Sequence, residues 1–125
     1  MGWITPSVKA AQLPWEKVTS LDQCREILEK TKFKPILLFK HSTRCEISTM
    51  VLNNFEAAWN KSADLCALYF VDLLANGDVS VEIEKLTGVA HQSPQVIVLS
   101  EDEIMYTATH SSISVDEIDL ILKNE

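Results

Sequence analysis

The sequence predicts an α/β sandwich, in which a mixed sheet of four to five strands carries helices on both faces. Two short apolar segments, 36–39 and 66–71, have the composition of strands covered on both sides, and a helical pattern separates them. Strands connected in this way pair in parallel through a right-handed crossover. Two further strands, 95–99 and 104–108, are separated by a tight turn and are expected to form an antiparallel hairpin.

The domain organisation follows from length and composition. A chain of 125 residues with 46% hydrophobic residues is sufficient for one domain and too short for two separate cores. Residues 1–14 include Gly2, Pro6 and Pro14 and lack a sustained period, so we expect a flexible arm there. Residues 15–125 are expected to form the single domain.

The first half of the chain contains a predicted edge strand at 15–18 and two predicted helices. Thr19 or Ser20 caps the first helix, whose apolar face carries Leu21, Cys24, Ile27 and Leu28. A polar turn at 41–44 precedes the second helix, which is expected from about Cys45 to Asn60. The side chains expected to be buried on that helix are Ile47, Val51, Phe55, Ala58 and Trp59.

The second half of the chain contains two more predicted helices. The pattern at 79–86 predicts a short helix that ends at Gly88. The last helix begins at Ser114, and Glu117 stands at the spacing of a capping box. Its apolar residues are Ile118, Ile121 and Leu122.

The charge and hydropathy patterns exclude several classes of protein. The 18 Asp and Glu residues outnumber the 11 Lys and Arg residues, and the resulting net charge of −7 argues against nucleic-acid binding. No apolar run approaches the roughly 20 residues that cross a bilayer, and the first residues do not resemble a secretion signal. We therefore expect a cytoplasmic protein without a membrane partner, as a monomer or a weak dimer.

The three cysteines do not form a disulfide framework or a metal site. Cys24, Cys45 and Cys66 are odd in number and widely spaced, and the three histidines are scattered, so no metal is expected. Cys24 lies on an apolar helix face and Cys66 begins a buried strand, so both are expected to be buried. If that strand is parallel to 36–40, Cys66 lies roughly 20 Å from Cys45.

Cys45 is the candidate reactive residue because it opens a helix directly after a buried strand and a polar turn. Free N–H groups and the positive end of the helix dipole favour a thiolate there. Lys40, His41 and Arg44 are expected to add positive charge nearby. Ser48 lies on the same side of the helix, and its hydroxyl is a candidate hydrogen-bond donor to the sulfur. His41 either tunes the sulfur or is an exposed residue without a role.

The Ser93-Pro94 pair is the second candidate element, and it stands directly before the third strand. From these residues alone a cis bond is the minority alternative, since about 5–6% of X–Pro bonds in folded proteins are cis.

Together, the segment FKHSTRCEIS at 39–48 and Ser93-Pro94-Gln95 about fifty residues later resemble the thioredoxin superfamily. More closely, they resemble the bacterial YtxJ family, the monothiol bacilliredoxins. The resemblance extends from Trp15 to the C-terminus and implies a thioredoxin-like three-layer sandwich. The sequence departs from the common thioredoxin pattern at Glu46, where proline is frequent, and a carboxylate beside the sulfur disfavours the thiolate.

The resemblance also implies residue roles. Cys45 would be the redox nucleophile, Ser48 would occupy the position of the resolving cysteine, and Pro94 would be a cis-proline facing Cys45. Substrate would be bound by Thr43, Arg44, Ser93, Pro94 and Gln95. The implied activity is removal or transfer of bacillithiol mixed disulfides on cytosolic proteins, with this low-molecular-weight thiol as co-substrate and no bound cofactor.

Two alternatives remain open from the sequence. The first is a thioredoxin-like binding module that uses the same groove without redox turnover. The second is a glutathione-dependent monothiol glutaredoxin with an iron–sulfur cluster. That family has Gly-Phe between its cysteine and serine, where this chain has Glu46-Ile47, so we rank it last.

Overall fold

The chain folds into a five-stranded mixed sheet between two layers of helices. The computed structural model describes residues 13–60 and 65–124. Most of the predicted arm at 1–14 lies outside them and stays a prediction. The elements in chain order are β1 (Glu16–Lys17), α1 (Leu21–Lys30), β2 (Ile36–His41), α2 (Glu46–Ala58), β3 (Ala67–Asp72), α3 (Gly77–Thr87), β4 (Gln95–Ser100), β5 (Glu103–Thr109), a 3₁₀ helix (His110–Ser112) and α4 (Val115–Lys123).

The strand order across the sheet is β1-β3-β2-β4-β5. Strand β2 pairs with β3 in parallel, with Ile36 opposite Ala67, which confirms the predicted crossover. Strands β4 and β5 are antiparallel, as predicted for the hairpin. The mixed sheet and its two helical layers confirm the predicted fold class.

The alternation of side chains along β2 determines what each face of the sheet carries. Ile36 and Leu38 pack against the layer formed by α1 and α3. Leu37 and Phe39 pack against α2 and α4. Because successive side chains of a strand point to opposite faces, Lys40 belongs to the first face and His41 to the second.

Local capping signals set the ends of the helices. Ser20 and Ser114 cap α1 and α4, and their hydroxyls accept hydrogen bonds from the backbone N–H groups of Gln23 and Glu117. Gly88 ends α3 with φ of 76°, a left-handed conformation that glycine adopts without a steric penalty. These ends agree with those predicted from the sequence.

Some predicted buried side chains are exposed. Leu21 is exposed because it lies in the first turn of α1, before the buried residues Cys24 and Ile27. Ile47 is 49% exposed and Ala58 is also exposed. The inward stripe of α2 instead runs through Ser48, Val51, Phe55 and Trp59. Val51, Phe55 and Trp59 are buried as predicted, and the prediction missed Ser48 because it assumed that every inward position is apolar.

Two other differences concern the ends of strands. Strand β2 continues through Lys40 and His41, so the polar turn begins at Ser42 and not at His41. Strand β1 is only two residues long and pairs at the edge with β3. No helix within the described ranges is long and apolar enough to span a membrane.

Candidate active site around Cys45

Cys45 is the N-cap residue of α2 and is half-buried. Its backbone is extended, with φ of −104° and ψ of 116°, and its carbonyl accepts a hydrogen bond from Thr49 N–H at 3.1 Å. The side chain makes no capping hydrogen bond. The sulfur therefore lies at the positive end of the helix dipole without being used to hold the helix.

The other two thiols are buried, as predicted. Cys24 is 3% exposed, and its burial and the nearby charges of Glu82 and Asp78 raise its pKa to about 11. Cys66 is fully buried, and this burial raises its pKa to about 12. Cys66 precedes β3 at the end of the sheet opposite to Cys45, because β2 and β3 are parallel. Cys45 is thus the one thiol described by the structure that a soluble partner can reach.

Ser48 is buried in the first turn of α2 and joins the helix to the end of β2. Its Oγ lies 2.8 Å from His41 Nδ1 and accepts a hydrogen bond from Ser42 N–H at 3.2 Å. Burial lowers the pKa of His41, with Asp72 acting against the shift, so the ring is neutral at pH 7. The tautomer with an unprotonated Nδ1 gives the hydroxyl of Ser48 an acceptor.

These contacts replace the predicted bond between Ser48 and the sulfur of Cys45. Within the described residues, the side-chain hydrogen bonds of Ser48 lead to His41 and Ser42 and none reaches Cys45. Ser48 is therefore a positioning residue, and not a group that touches the sulfur. His41 is not an exposed loop residue, because it ends a buried strand. The alternation of side chains along a strand, continued from Phe39 to His41, would have predicted that His41 points toward the layer of α2 and α4.

The predicted positive charge near Cys45 is also reduced. Lys40 belongs to the face of the sheet opposite to α2, and its burial lowers its pKa to about 8, with Glu84 acting against the shift. His41 is neutral, for the reason given above. Arg44 is exposed in the turn next to Cys45, and Thr43 beside it is exposed as well.

The start of β4 lies beside the end of β2, because Lys40 pairs with Gln95. Ser93 and Pro94 therefore lie at the same end of the sheet as the turn that carries Cys45, where β2 ends and β4 begins. The Ser93–Pro94 peptide bond is cis, the conformation that the resemblance implied. The carbonyl of Pro94 accepts a hydrogen bond from His110 N–H at 2.9 Å. Ser93 Oγ is buried and has no partner in the described structure.

Gln95 differs from the role expected of it. The side chain is 2% exposed and is directed into the preceding loop. Its Oε1 accepts a hydrogen bond from Gln92 N–H at 3.3 Å, and its Nε2 donates one to Ala90 O at 3.1 Å. The side chain of Gln95 therefore holds the loop that leads to Pro94 and is not presented to a substrate.

No metal site accompanies these residues. Within 13–60 and 65–124, no group of three or more His, Cys, Asp or Glu side chains is arranged to hold a metal ion.

Comparison with known proteins places this site in a family. The model of the family described as monothiol bacilliredoxin BrxC matches residues 16–118. The chain belongs to the monothiol bacilliredoxin family. The matched range includes Cys45, Ser48 and Pro94, and it supports a thiol redox role for the protein.

Solved structures confirm the thioredoxin fold. A putative oxidoreductase with a thioredoxin fold has a TM-score of 0.66 and 25% identity, over 86% of this chain and 92% of that chain. Thioredoxin of Malassezia sympodialis has a TM-score of 0.63 and 16% identity, over 86% and 87% of the two chains. The short form of spinach chloroplast thioredoxin f has a TM-score of 0.63 and 15% identity, over 88% and 91%.

Proposed function

We propose that the protein is a monothiol thiol–disulfide oxidoreductase that removes bacillithiol from mixed disulfides on client proteins through Cys45. The observation that carries the proposal is the contrast among the three thiols. Cys45 is accessible at a helix start, whereas Cys24 and Cys66 are buried and have raised pKa values. Because Ser48 stands where a second thiol would be needed, the site can accept a small thiol but cannot displace it internally.

The first step exchanges one disulfide for another. The Cys45 thiolate attacks the sulfur of the small thiol in the mixed disulfide, and a new S–S bond forms as the bond to the client breaks. The client cysteine leaves as a thiolate and takes a proton from water. A second molecule of low-molecular-weight thiol then attacks the adduct, which releases a small symmetrical disulfide and regenerates Cys45.

The client would be held by the backbone beside Pro94. The carbonyl of Pro94 is already paired with His110, and Gln95 pairs with its neighbours in the sheet. The backbone groups of Ser93, in contrast, form none of the backbone hydrogen bonds in the described structure. An extended client segment that paired there would be bound independently of its sequence. Exposed Thr43 and Arg44 lie in the turn beside Cys45 and would line the same site.

The remaining features of the proposed function are those expected from the sequence. The co-substrate is bacillithiol, and the protein carries no bound cofactor. The partners are cytoplasmic proteins with mixed disulfides, and the protein acts as a monomer or a weak dimer without nucleic acid or membrane.

Intact-mass spectrometry tests the transfer. The reduced protein is mixed with a single-cysteine model protein that carries one bacillithiol mixed disulfide. We expect Cys45 to gain the mass of one bacillithiol as the client loses it, and the adduct to persist until free thiol is added. Cys45→Ser should form no adduct, whereas Cys24→Ser, the matched control at a buried thiol, should behave as wild type.

Two results would contradict the proposal. A client that keeps its mixed disulfide for hours in the presence of excess wild-type protein would favour a binding module without redox turnover. A purified protein that is coloured by an iron–sulfur cluster would favour the glutaredoxin alternative.

A further inference from the structure

A polar cluster lies on the face of the sheet opposite to α2. His91 Nδ1 is 2.7 Å from Ser80 Oγ and 3.4 Å from Lys40 Nζ. Lys40 is fully buried and Ser80 is 4% exposed, whereas His91 belongs to an exposed loop. A loop residue therefore satisfies two buried polar groups, one from β2 and one from α3.

The direction of these hydrogen bonds follows from the chemistry of the groups. An ammonium group only donates, so Lys40 requires an unprotonated Nδ1 on His91, which can then also accept from the Ser80 hydroxyl. Burial and the charge of Lys40 lower the pKa of His91, and Glu84 acts against this shift. The carboxylate of Glu84 also accepts a hydrogen bond from His91 N–H at 3.2 Å. Both the ring and the backbone of His91 are thus attached to the body of the domain.

The loop that contains His91 runs from Gly88 to Pro94 and has no regular secondary structure. Side chains hold it in place. Besides the contacts of His91, the side chain of Gln95 binds the loop backbone at two points, and Val89 N–H donates to Thr87 Oγ1 at 3.1 Å. The position of Ser93 relative to Cys45 therefore depends on these contacts, together with the hydrogen bond from His110 N–H to Pro94 O.

We propose that His91 is a positioning residue, which fixes the client-binding backbone at Ser93 by accepting hydrogen bonds from Lys40 and Ser80. The inference rests on the proposed function, because it assumes that a client pairs beside Pro94. Lys40 and Ser80 are buried and are not presented to a soluble substrate. The cluster therefore acts through the loop and is not a second reactive site.

Protonation of His91 would weaken the attachment of the loop. A proton on Nδ1 removes the acceptor for two buried donors, and it places an imidazolium beside the Lys40 ammonium. The charged groups that act on the ring are Lys40 from β2 and Glu84 from α3. Of these two groups, Lys40 disfavours the protonated ring and Glu84 favours it. Client binding, measured as KM, should thus weaken as the pH falls, separately from the lower reactivity that any thiol shows in acid.

Three variants separate positioning from a merely structural role. His91→Ala removes the acceptor. His91→Asn places an amide oxygen near the position of Nδ1 and does not titrate. Gln92→Ala is the matched control, because it changes an exposed side chain of the same loop that is outside the cluster. Each is assayed for KM and kcat with the bacillithiol-modified model protein at pH 7.5 and pH 5.5, with free bacillithiol present to regenerate Cys45 and the rate without enzyme subtracted. Each is also assayed for alkylation of Cys45 by iodoacetamide.

The expected result is a change in KM alone. At pH 7.5, His91→Ala should raise KM about fivefold, the factor that one net hydrogen bond provides, and leave the alkylation rate within about twofold of wild type. His91→Asn should keep a KM near that of wild type at pH 7.5 and, unlike wild type, keep it at pH 5.5. An unchanged KM in His91→Ala, or a wild-type pH dependence in His91→Asn, would overturn the proposal.

Hydrogen exchange gives a second readout that does not require activity. The protection factors of the Val89 and Gln92 amides should fall about fivefold in His91→Ala. In the control Gln92→Ala, the protection factor of the Val89 amide should stay at the wild-type value. Equal protection in wild type and His91→Ala would refute the positioning role even if transfer occurs. Reduced protection in His91→Ala, combined with a wild type that shows no transfer activity, would instead refute the proposed function and leave the positioning role intact.

Discussion

The Oγ atom of Ser48 lies 2.8 Å from Nδ1 of His41, and this hydrogen bond joins the first turn of α2 to the last residue of β2. Ser42 N–H, in the turn between them, donates to the same oxygen. The buried hydroxyl of Ser48 thus connects the helix that follows Cys45 to His41 and Ser42, which precede Cys45. Ser48 therefore has a structural role that does not depend on the chemistry at Cys45.

Removal of this hydroxyl should destabilise the fold. In Ser48→Ala, the N–H of Ser42 and Nδ1 of His41 lose a partner in a buried region, so we expect the free energy of unfolding to fall by about 1–3 kcal/mol. Urea denaturation measures the loss. Thr49→Ala, at the exposed neighbouring position, is the matched control and should change stability by less than about 0.5 kcal/mol. Equal effects of the two substitutions would contradict the role of Ser48.

A thiol at position 48 should change the outcome of the reaction. In Ser48→Cys, we expect the new thiol to displace bacillithiol from Cys45 and to close a disulfide, because two intervening residues at a helix start suit this closure. Mass spectrometry should show a loss of two hydrogens and no adduct. A persistent adduct in this variant would show that the buried position 48 cannot reach the sulfur.

Cys45 should be the one thiol that reacts fast in the folded protein. Burial raises the pKa of Cys24 to about 11 and that of Cys66 to about 12, so few of these thiols are ionised at pH 7.5. Iodoacetamide labelling followed by peptide mapping should modify Cys45 first. Labelling in urea is the control, in which all three should react. Equal labelling of Cys24 or Cys66 in the native protein would disprove this prediction.

The stability of the protein should fall as the pH decreases below about 6.5. Burial lowers the pKa of His41 from 6.5, so the unfolded chain binds a proton at a higher pH than the folded chain does. The contribution of neutral His41 to the free energy of unfolding is therefore complete above pH 6.5. It is lost as the pH falls from 6.5 through the lower pKa that His41 has in the folded protein. His41→Asn should reduce the slope of stability against pH between 7.5 and 5.0, as measured by urea denaturation.

The matched control for this experiment is His110→Asn, at an exposed histidine whose ring makes no hydrogen bond within the described residues. Its φ of 55° is tolerated by asparagine. A slope that is unchanged in His41→Asn would show that His41 does not contribute to the pH dependence.

Replacement of Lys40 by methionine should stabilise the protein at pH 7. Lys40 is buried and forms no ion pair among the described residues, and its pKa is lowered from 10.5 to about 8. Removal of the buried charge should raise the free energy of unfolding by on the order of 1–3 kcal/mol. The gain should shrink between pH 8 and 10.5, where the unfolded chain binds more protons and wild type becomes relatively more stable. Lys85→Met, at an exposed lysine, is the control; a gain independent of pH would contradict the cause given.

The sequence by itself determined the fold class and placed Cys45, the candidate reactive cysteine, at a helix start. The apolar strands, the helix caps at Ser20 and Ser114 and the end of α3 at Gly88 are local signals, because each depends on residues within a few positions of one another. The same holds for Cys45 at a helix start. The FKHSTRCEIS segment added the family, which the comparisons confirm.

The tertiary structure decided which polar side chains are buried and what they contact. Lys40 and His41 are adjacent in sequence, but the sheet directs them to opposite faces, one toward His91 and the other toward Ser48. The partners are separated by 51 and 7 residues, and nothing in the local pattern of either one specifies the pairing. Ile47 was predicted to be buried and is exposed, because a hydroxyl with two partners allows Ser48 to occupy the inward position. Hydrogen-bond satisfaction in a buried site depends on the packing of distant elements, and sequence periodicity does not contain that information.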